Sequence, residues 1–150
     1  MRYNDFKGLK VSALGFGTMR LPMDASGAID YNEGEKMVAE AMNGGITYFD
    51  TAYRYHEGES ENFCGRVISK YPRESYMLAD KLPTWLCNTR EDAEKIFAEQ
   101  LAKCNVDYFD FYLLHNLGAD RTEAFDRFGI WDFLRRKRDE GVIKHLGFSF

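Results

Sequence analysis

Two spacings of apolar residues alternate along the chain. Short apolar runs of strand length fall at ITYFD (46–50), SYMLADK (75–81), YFDFYLLH (108–115) and IKHLGFSF (143–150), with ALGFGT (13–18) a candidate fifth. Helical spacing fills the gaps between them. Asp30 followed by Glu33 predicts a helix start, Met37, Val38, Ala41 and Met42 supply its apolar stripe, and Asn43-Gly44-Gly45 ends it. A second helix is predicted from Glu59 to about Lys70, with Phe63, Val67 and Ile68 on one face and Tyr71-Pro72 as its stop. Thr89 with Asp92 opens a third, striped by Ala93, Ile96, Phe97 and Leu101. A fourth runs from about Arg121 to Glu140, carrying Phe125, Phe128, Trp131, Phe133 and Leu134, and Gly141 closes it. Ahead of the first strand, YNDFKGLKVS predicts a short β-hairpin.

Strand followed by helix, repeated, requires a parallel sheet. The strand ends keep a period: Asp50, Lys81, His115 and Ser149 stand 31, 34 and 34 residues apart, against a unit of about 31 in a (β/α)₈ barrel. The predicted fold class is therefore α/β, of the (β/α)₈ TIM-barrel type. A chain of 150 residues holds only about five such units where a closed barrel needs eight. The pattern predicts the N-terminal portion of a longer barrel, one domain over residues 1–150, preceded by the hairpin. A half barrel on its own would leave two open sheet edges, and such a chain would be a non-catalytic module that self-associates or binds a partner. An independent open sheet ranks below both readings, because GFGTMRLP after the first strand lacks a G-x-G-x-x-G or P-loop pattern.

Composition narrows the function classes. The 20 Lys+Arg against 24 Asp+Glu give a net charge of −4 with no long basic run, which disfavours nucleic acid as a partner. No apolar run has the length of a membrane span, and MRYNDFKGLK is a charged start without a signal-peptide core, so a cytoplasmic protein is expected. Cys64, Cys87 and Cys104 are odd in number, widely spaced and without a C-x-x-C pair, which argues against a disulfide framework and a metal site.

The chemistry concentrates where barrels place it, at the carboxyl ends of strands. Asp50, Lys81 and His115 all stand there, and Tyr55 follows Asp50 by five residues on a charged loop, FDTAYRYHEGESE (49–61). A buried ammonium is tolerable when paired, so Asp50 and Lys81 make sense as partners on neighbouring strand ends. A phenol is a poor proton donor at neutral pH unless something stabilises its anion. A lysine about 4 Å away, at an effective dielectric near 20, supplies roughly 4 kcal/mol toward that. A neutral imidazole beside the reacting oxygen can donate one hydrogen bond and orient a carbonyl. Each residue also has a plainer role open to it: a structural ion pair for Asp50 and Lys81, a surface tyrosine for Tyr55, a strand-end cap for His115. His56, next to Tyr55, is expected to be a solvent-exposed loop histidine rather than a second proton relay.

GITYFDTAYRYHEGESENFCG, ADKL, VDYFDFYLLH and GVIKHLGFS together resemble the signature segments of the aldo-keto reductases, in that family's order and at about its spacing. The resemblance covers nearly the whole chain. It implies a (β/α)₈ barrel preceded by a hairpin and NAD(P)H-dependent reduction of small-molecule aldehydes and ketones. Carried over by position, Asp50, Tyr55, Lys81 and His115 match the family's aspartate, proton-donating tyrosine, lysine and histidine. Tyr53 competes for the tyrosine, but the family's donor is the fifth residue after the aspartate. Thr18, Met19 and Asp50 resemble residues near the nicotinamide, Ser149 the serine that bonds its carboxamide, and Trp85 a residue lining the substrate pocket. NADPH, or NADH, is the implied cofactor, with phosphate and adenosine contacts in loops after the later strands. Some relatives with an HEGESE-like loop carry an iron–sulfur, ferredoxin-like extension beyond the barrel, and no cluster is expected within these residues. One departure is local: His56 and Glu57 stand between Tyr55 and Gly58 where the family's tyrosine is followed almost directly by glycine.

Overall fold

The structure, a computed structural model, describes residues 1–150 apart from the side chains of Ala119, Asp120, Arg121 and Ala124. The chain opens with a hairpin, β1 (Tyr3–Phe6) and β2 (Leu9–Ser12), as its sequence predicts. Lys7 and Gly8 form the two-residue turn with φ of 52° and 84°, the positive values that match the twist of the flanking strands. Asp5 Oδ1 accepts from the Gly8 N–H and holds it closed.

Five parallel strands then form one sheet in strictly sequential order: β3 (Phe16–Gly17), β4 (Tyr48–Asp50), β5 (Met77–Leu82), β6 (Phe109–Leu114) and β7 (Ile143–Phe148). All five lie within the predicted runs or one residue beyond them. Sequential order without a reversal is how a barrel winds, whereas a doubly wound sheet reverses order at a switch point. The crossovers carry α1 (Tyr31–Asn43), α2 (Glu59–Val67), α3 (Arg90–Cys104) and the pair α4 (Ala119–Arg127) and α5 (Ile130–Asp139).

The helix starts follow their sequence signals. Asp30 accepts from the Glu33 N–H at the head of α1, and Thr89 and Asp92 form a complete capping box on α3. One expectation fails. The single helix predicted from Arg121 to Glu140 is broken after Arg127, where Gly129 takes φ 63° and starts α5. α2 reaches its predicted end by tightening into a 3₁₀ turn over Ile68–Lys70.

The helices bury the outer face of the sheet. Phe49, Leu78, Phe109, Tyr112 and Leu114 from the strands meet Phe63, Phe97, Phe133 and Leu134 from the helices in one buried cluster. On the inner face, Tyr48, Phe111 and His145 form a row of rings with centroids 5.3 and 5.1 Å apart, and Phe6 of the hairpin packs on Phe111 and His145 at 5.6 Å. The hairpin thus plugs the inner face. Two residues further along β4, and four further along β6, the same face ends in Asp50 and His115.

Candidate active site

β4 and β5 pair in parallel, with Asp50 opposite Ala79, so Lys81 projects from the same face two residues beyond. Lys81 is 5% exposed. A buried ammonium has three donors to satisfy, and here all three find oxygen: Asp50 Oδ1 at 2.6 Å, the Thr51 carbonyl at 2.8 Å and Tyr55 Oη at 3.2 Å. Asp50 answers the charge, Thr51 comes from the residue after it, and Tyr55 is delivered by the loop. Because the Tyr55 oxygen accepts from Lys81, its own O–H remains to donate.

That delivery depends on an unusual backbone. His56 (φ 50°), Glu57 (φ 57°) and Gly58 (φ 101°) are three successive left-handed residues. Only the glycine adopts that region without cost. The two residues that distinguish this loop at the sequence level are the ones that make the turn.

Its far end is anchored through hydroxyls. Ser60, fully buried at the start of α2, lies 2.6 Å from Thr18 Oγ1 and 2.8 Å from Thr51 Oγ1, and Thr18 Oγ1 donates to the Asp50 carbonyl at 2.9 Å. Thr18 therefore supports Asp50 from beneath, while Met19 beside it is 55% exposed at the rim.

His115, half-buried at the end of β6, stands edge-on to Tyr55 with ring centroids 6.0 Å apart, and Trp85 packs on its other side at 5.1 Å. Trp85 keeps 44% of its surface exposed, open toward the rim. Ser149 lies past the end of β7, where its Oγ accepts from the Asn116 N–H at 2.8 Å and its backbone bonds Leu114 and Leu117 at the end of β6. The structure thus gathers Asp50, Tyr55 and Lys81 into direct contact, sets His115 and Trp85 beside them, and places Thr18 and Met19 at one flank and Ser149 at another.

The competing tyrosine turns away. Tyr53 Oη donates to Glu99 of α3 at 2.8 Å, and burial, followed by Glu99, pushes its hydroxyl up to about 12. His56 departs from expectation: it is half-buried, and its Nε2 accepts from the Leu21 N–H at 3.1 Å.

Behind Lys81 lies a group of buried polar residues that sequence reasoning missed. Asp80, Glu61 and Gln100 are fully buried. Gln100 Nε2 donates to Glu61 Oε1 at 2.8 Å and to the Lys81 carbonyl at 3.0 Å, Tyr112 donates to Gln100 Oε1, and Lys103 pairs with Glu61 at 3.1 Å. Burial raises the carboxyls of both Glu61 and Asp80, and Glu61 adds to the rise at Asp80. The available signal was Asp80 itself, a carboxylate inside the apolar run MLADKL.

The three cysteines are free and buried, and among the described residues no group of His, Cys, Asp and Glu could hold a metal. No helix among the described residues is long and apolar enough to cross a membrane. A surface cavity of about 930 Å³ lies between α3 and α5 against Phe97, Leu101 and Phe133, away from the rim.

Comparison with known proteins shows the family and the fold. A model described as the aldo/keto reductase family matches residues 13–150. An aldo-keto reductase of Gibberella moniliformis is 34% identical over an alignment that covers 96% of this chain and 45% of that protein. A probable aldo-keto reductase of Glycine max is 27% identical over 95% of this chain and 42% of its own length. The chain thus spans less than half the length of these relatives. Among solved structures, aldo-keto reductase AKR11C1 of Bacillus halodurans in its holo form superposes with a TM-score of 0.73 at 28% identity, covering 99% of this chain and 49% of that one.

Proposed function

Since the chain belongs to the aldo/keto reductase family, we propose that it supplies the proton-transfer half of an NAD(P)H-dependent carbonyl reductase whose remaining barrel strands lie in the rest of the protein. The observation that carries this reading is the single ammonium, Lys81, bonded at once to Asp50 (2.6 Å) and to Tyr55 Oη (3.2 Å).

Tyr55 is the general acid. Its O–H, left free because the oxygen accepts from Lys81, donates to the oxygen of an aldehyde or ketone as that oxygen becomes an alkoxide. The phenolate left behind faces an ammonium at hydrogen-bond distance, worth roughly 5 kcal/mol at an effective dielectric near 20. Asp50 pairs with the Lys81 ammonium and aims it, and the Thr51 carbonyl fixes its third direction. His115, edge-on to Tyr55, is placed to donate to the same carbonyl oxygen and set its approach. Trp85, exposed beside His115, offers an apolar wall to the substrate.

The rim residues fit the nicotinamide end of the cofactor: an exposed thioether at Met19 suits a flat ring, and Ser149 holds a hydroxyl at the opposite flank. Thr18, Met19, Asp50 and Ser149 would hold it there. When bound, the reduced nicotinamide supplies the hydride. No metal enters this scheme.

The test is NADPH oxidation by the full-length protein with 4-nitrobenzaldehyde. Tyr55→Phe is expected to lower kcat by about 10²–10⁴-fold; an unchanged rate removes the assignment. A second, non-catalytic reading draws on the two sheet edges, β3 and β7, flanked by Leu14 and Phe148, which are 60% and 62% exposed. There the 150-residue chain pairs with another copy through those edges. A concentration-independent monomer in sedimentation excludes it.

A further inference from the structure

We propose that His56 is a positioning residue for Tyr55: by accepting the Leu21 N–H, its Nε2 ties the loop that carries the phenol to the segment following β3. The inference rests on the catalytic reading above and deepens it.

The bond joins residues 35 positions apart, at 3.1 Å, across the mouth of the site. The loop it holds is strained. His56 and Glu57 both occupy the left-handed region, at φ 50° and 57°, and non-glycine residues held there cost of order 1 kcal/mol or more each and persist only where the surroundings over-determine them. Besides the Lys81–Tyr55 bond itself, two long-range ties supply that determination. One is the Ser60 hydroxyl, bonded to Thr18 and Thr51 at the loop's far end; the other is His56 at its centre. Both reach the segment from Thr18 to Leu21, the same segment that presents Met19 to the rim. Removing the Ser60 tie would free the start of α2, whereas the His56 tie acts on the residue adjoining Tyr55.

The chemistry of the bond fixes the state of the ring. A nitrogen that accepts carries no proton, so His56 is neutral with its hydrogen on Nδ1. The same fact rules out the relay role its neighbourhood suggests, because Nε2 is already engaged by a backbone donor. It also defines which substitutes work. Gln places an oxygen near the position of Nε2 and can accept. Asn tolerates the left-handed backbone but is too short to reach Leu21. Leu fills the volume and accepts nothing.

The full-length protein carrying each substitution is assayed with NADPH and 4-nitrobenzaldehyde, alongside ¹⁵N NMR of the histidine rings and the Leu21 amide. His56→Asn and His56→Leu are expected to lower kcat by about ten- to a hundredfold with little change in the KM for NADPH, while His56→Gln retains most of kcat. Wild-type His56 is expected to show an unprotonated Nε2 and a Leu21 amide protected from exchange. A protonated Nε2, or full kcat in both His56→Asn and His56→Leu, overturns the proposal. If Tyr55→Phe keeps full activity, the catalytic reading fails and this inference with it, and an intact His56–Leu21 signal then identifies the mechanism rather than the contact as the error.

Discussion

Asp80 and Lys81 are neighbours in β5 whose side chains leave on opposite faces of the sheet. The Lys81 ammonium reaches Asp50 and Tyr55 on the inner face, while the Asp80 carboxyl is sealed beneath α2 and α3, 3.8 Å from the Cys104 thiol that donates to it. The site therefore stands on a strand whose hidden face carries the Asp80 carboxyl, with a second one, Glu61 of α2, close by.

This arrangement gives stability a defined pH dependence. Burial, then Glu61, holds the Asp80 carboxyl well above its usual 3.8. The folded protein keeps that proton where the unfolded chain has lost it, so the group's contribution is complete below the unfolded pKa and is lost as pH rises through the folded one. Asp80→Asn has no proton to lose and keeps an oxygen for the Lys81 N–H, which Asp80 accepts at 2.8 Å. The Asn variant is expected to be more stable than wild type near pH 7.5, by about 1 kcal/mol or roughly 2–4 °C in Tm. The gain should shrink to nothing as pH falls to about 4. Thermal melts at both pH values check it; an Asn variant less stable near pH 7.5 contradicts it.

Tyr53 and Tyr55 separate cleanly by what their hydroxyls touch. Tyr53→Phe loses only the bond to Glu99, at a cost of about 1 kcal/mol, and is expected to keep carbonyl reduction within about twofold of wild type, since a hydroxyl outside the site supplies no proton. Urea melts and the NADPH assay, run together, decide it. A rate collapse in Tyr53→Phe would show that the donor had been misassigned.

Helices α2 and α3 meet at a glycine. A Cβ on Gly65 would lie 2.0 Å from the Lys103 carbonyl oxygen, a backbone atom that cannot swing aside. Gly65→Ala is expected to cost about 3 kcal/mol or more by forcing the helices apart. Gly17→Ala, with open space around its added carbon, should cost less than about 1 kcal/mol. Equal urea midpoints for the two variants would mean the close approach carries no weight.

The parts of the fold legible in the sequence were those with a local signal. Lys81 and Asp50 declared themselves because charge at the end of an apolar run demands a partner, and the strand-end period told which charges would meet. The break between α4 and α5 was hidden because Phe125, Phe128, Trp131, Phe133 and Leu134 keep an apolar residue in every turn across it, and the stop is marked by the positive φ of Gly129. Glu61 and Gln100 were hidden for the opposite reason: polarity is read as exposure, and their burial depends on partners 39 residues apart in the chain. His56 was misplaced on the surface because its partner, Leu21, offers a backbone N–H that no side-chain pattern reveals.

Gln100 is the residue on which that hidden layer turns. It accepts from Tyr112 and donates to both Glu61 and the Lys81 carbonyl, so Gln100→Leu takes a partner from three polar groups in a closed space. A loss of about 3 kcal/mol or more is expected, since each buried unsatisfied group costs roughly 1–3 kcal/mol. Gln100→Glu instead brings a third carboxyl against Glu61 and Asp80, both already raised by burial. Its deficit should be largest near pH 8 and shrink toward pH 5 as the crowded carboxyls take up protons, approximately following the proton linkage of the group. The Leu deficit has no such titration and should stay level. Urea melts of both variants across that range separate the two effects, and deficits that move together with pH would mean the cost at this position is packing rather than charge.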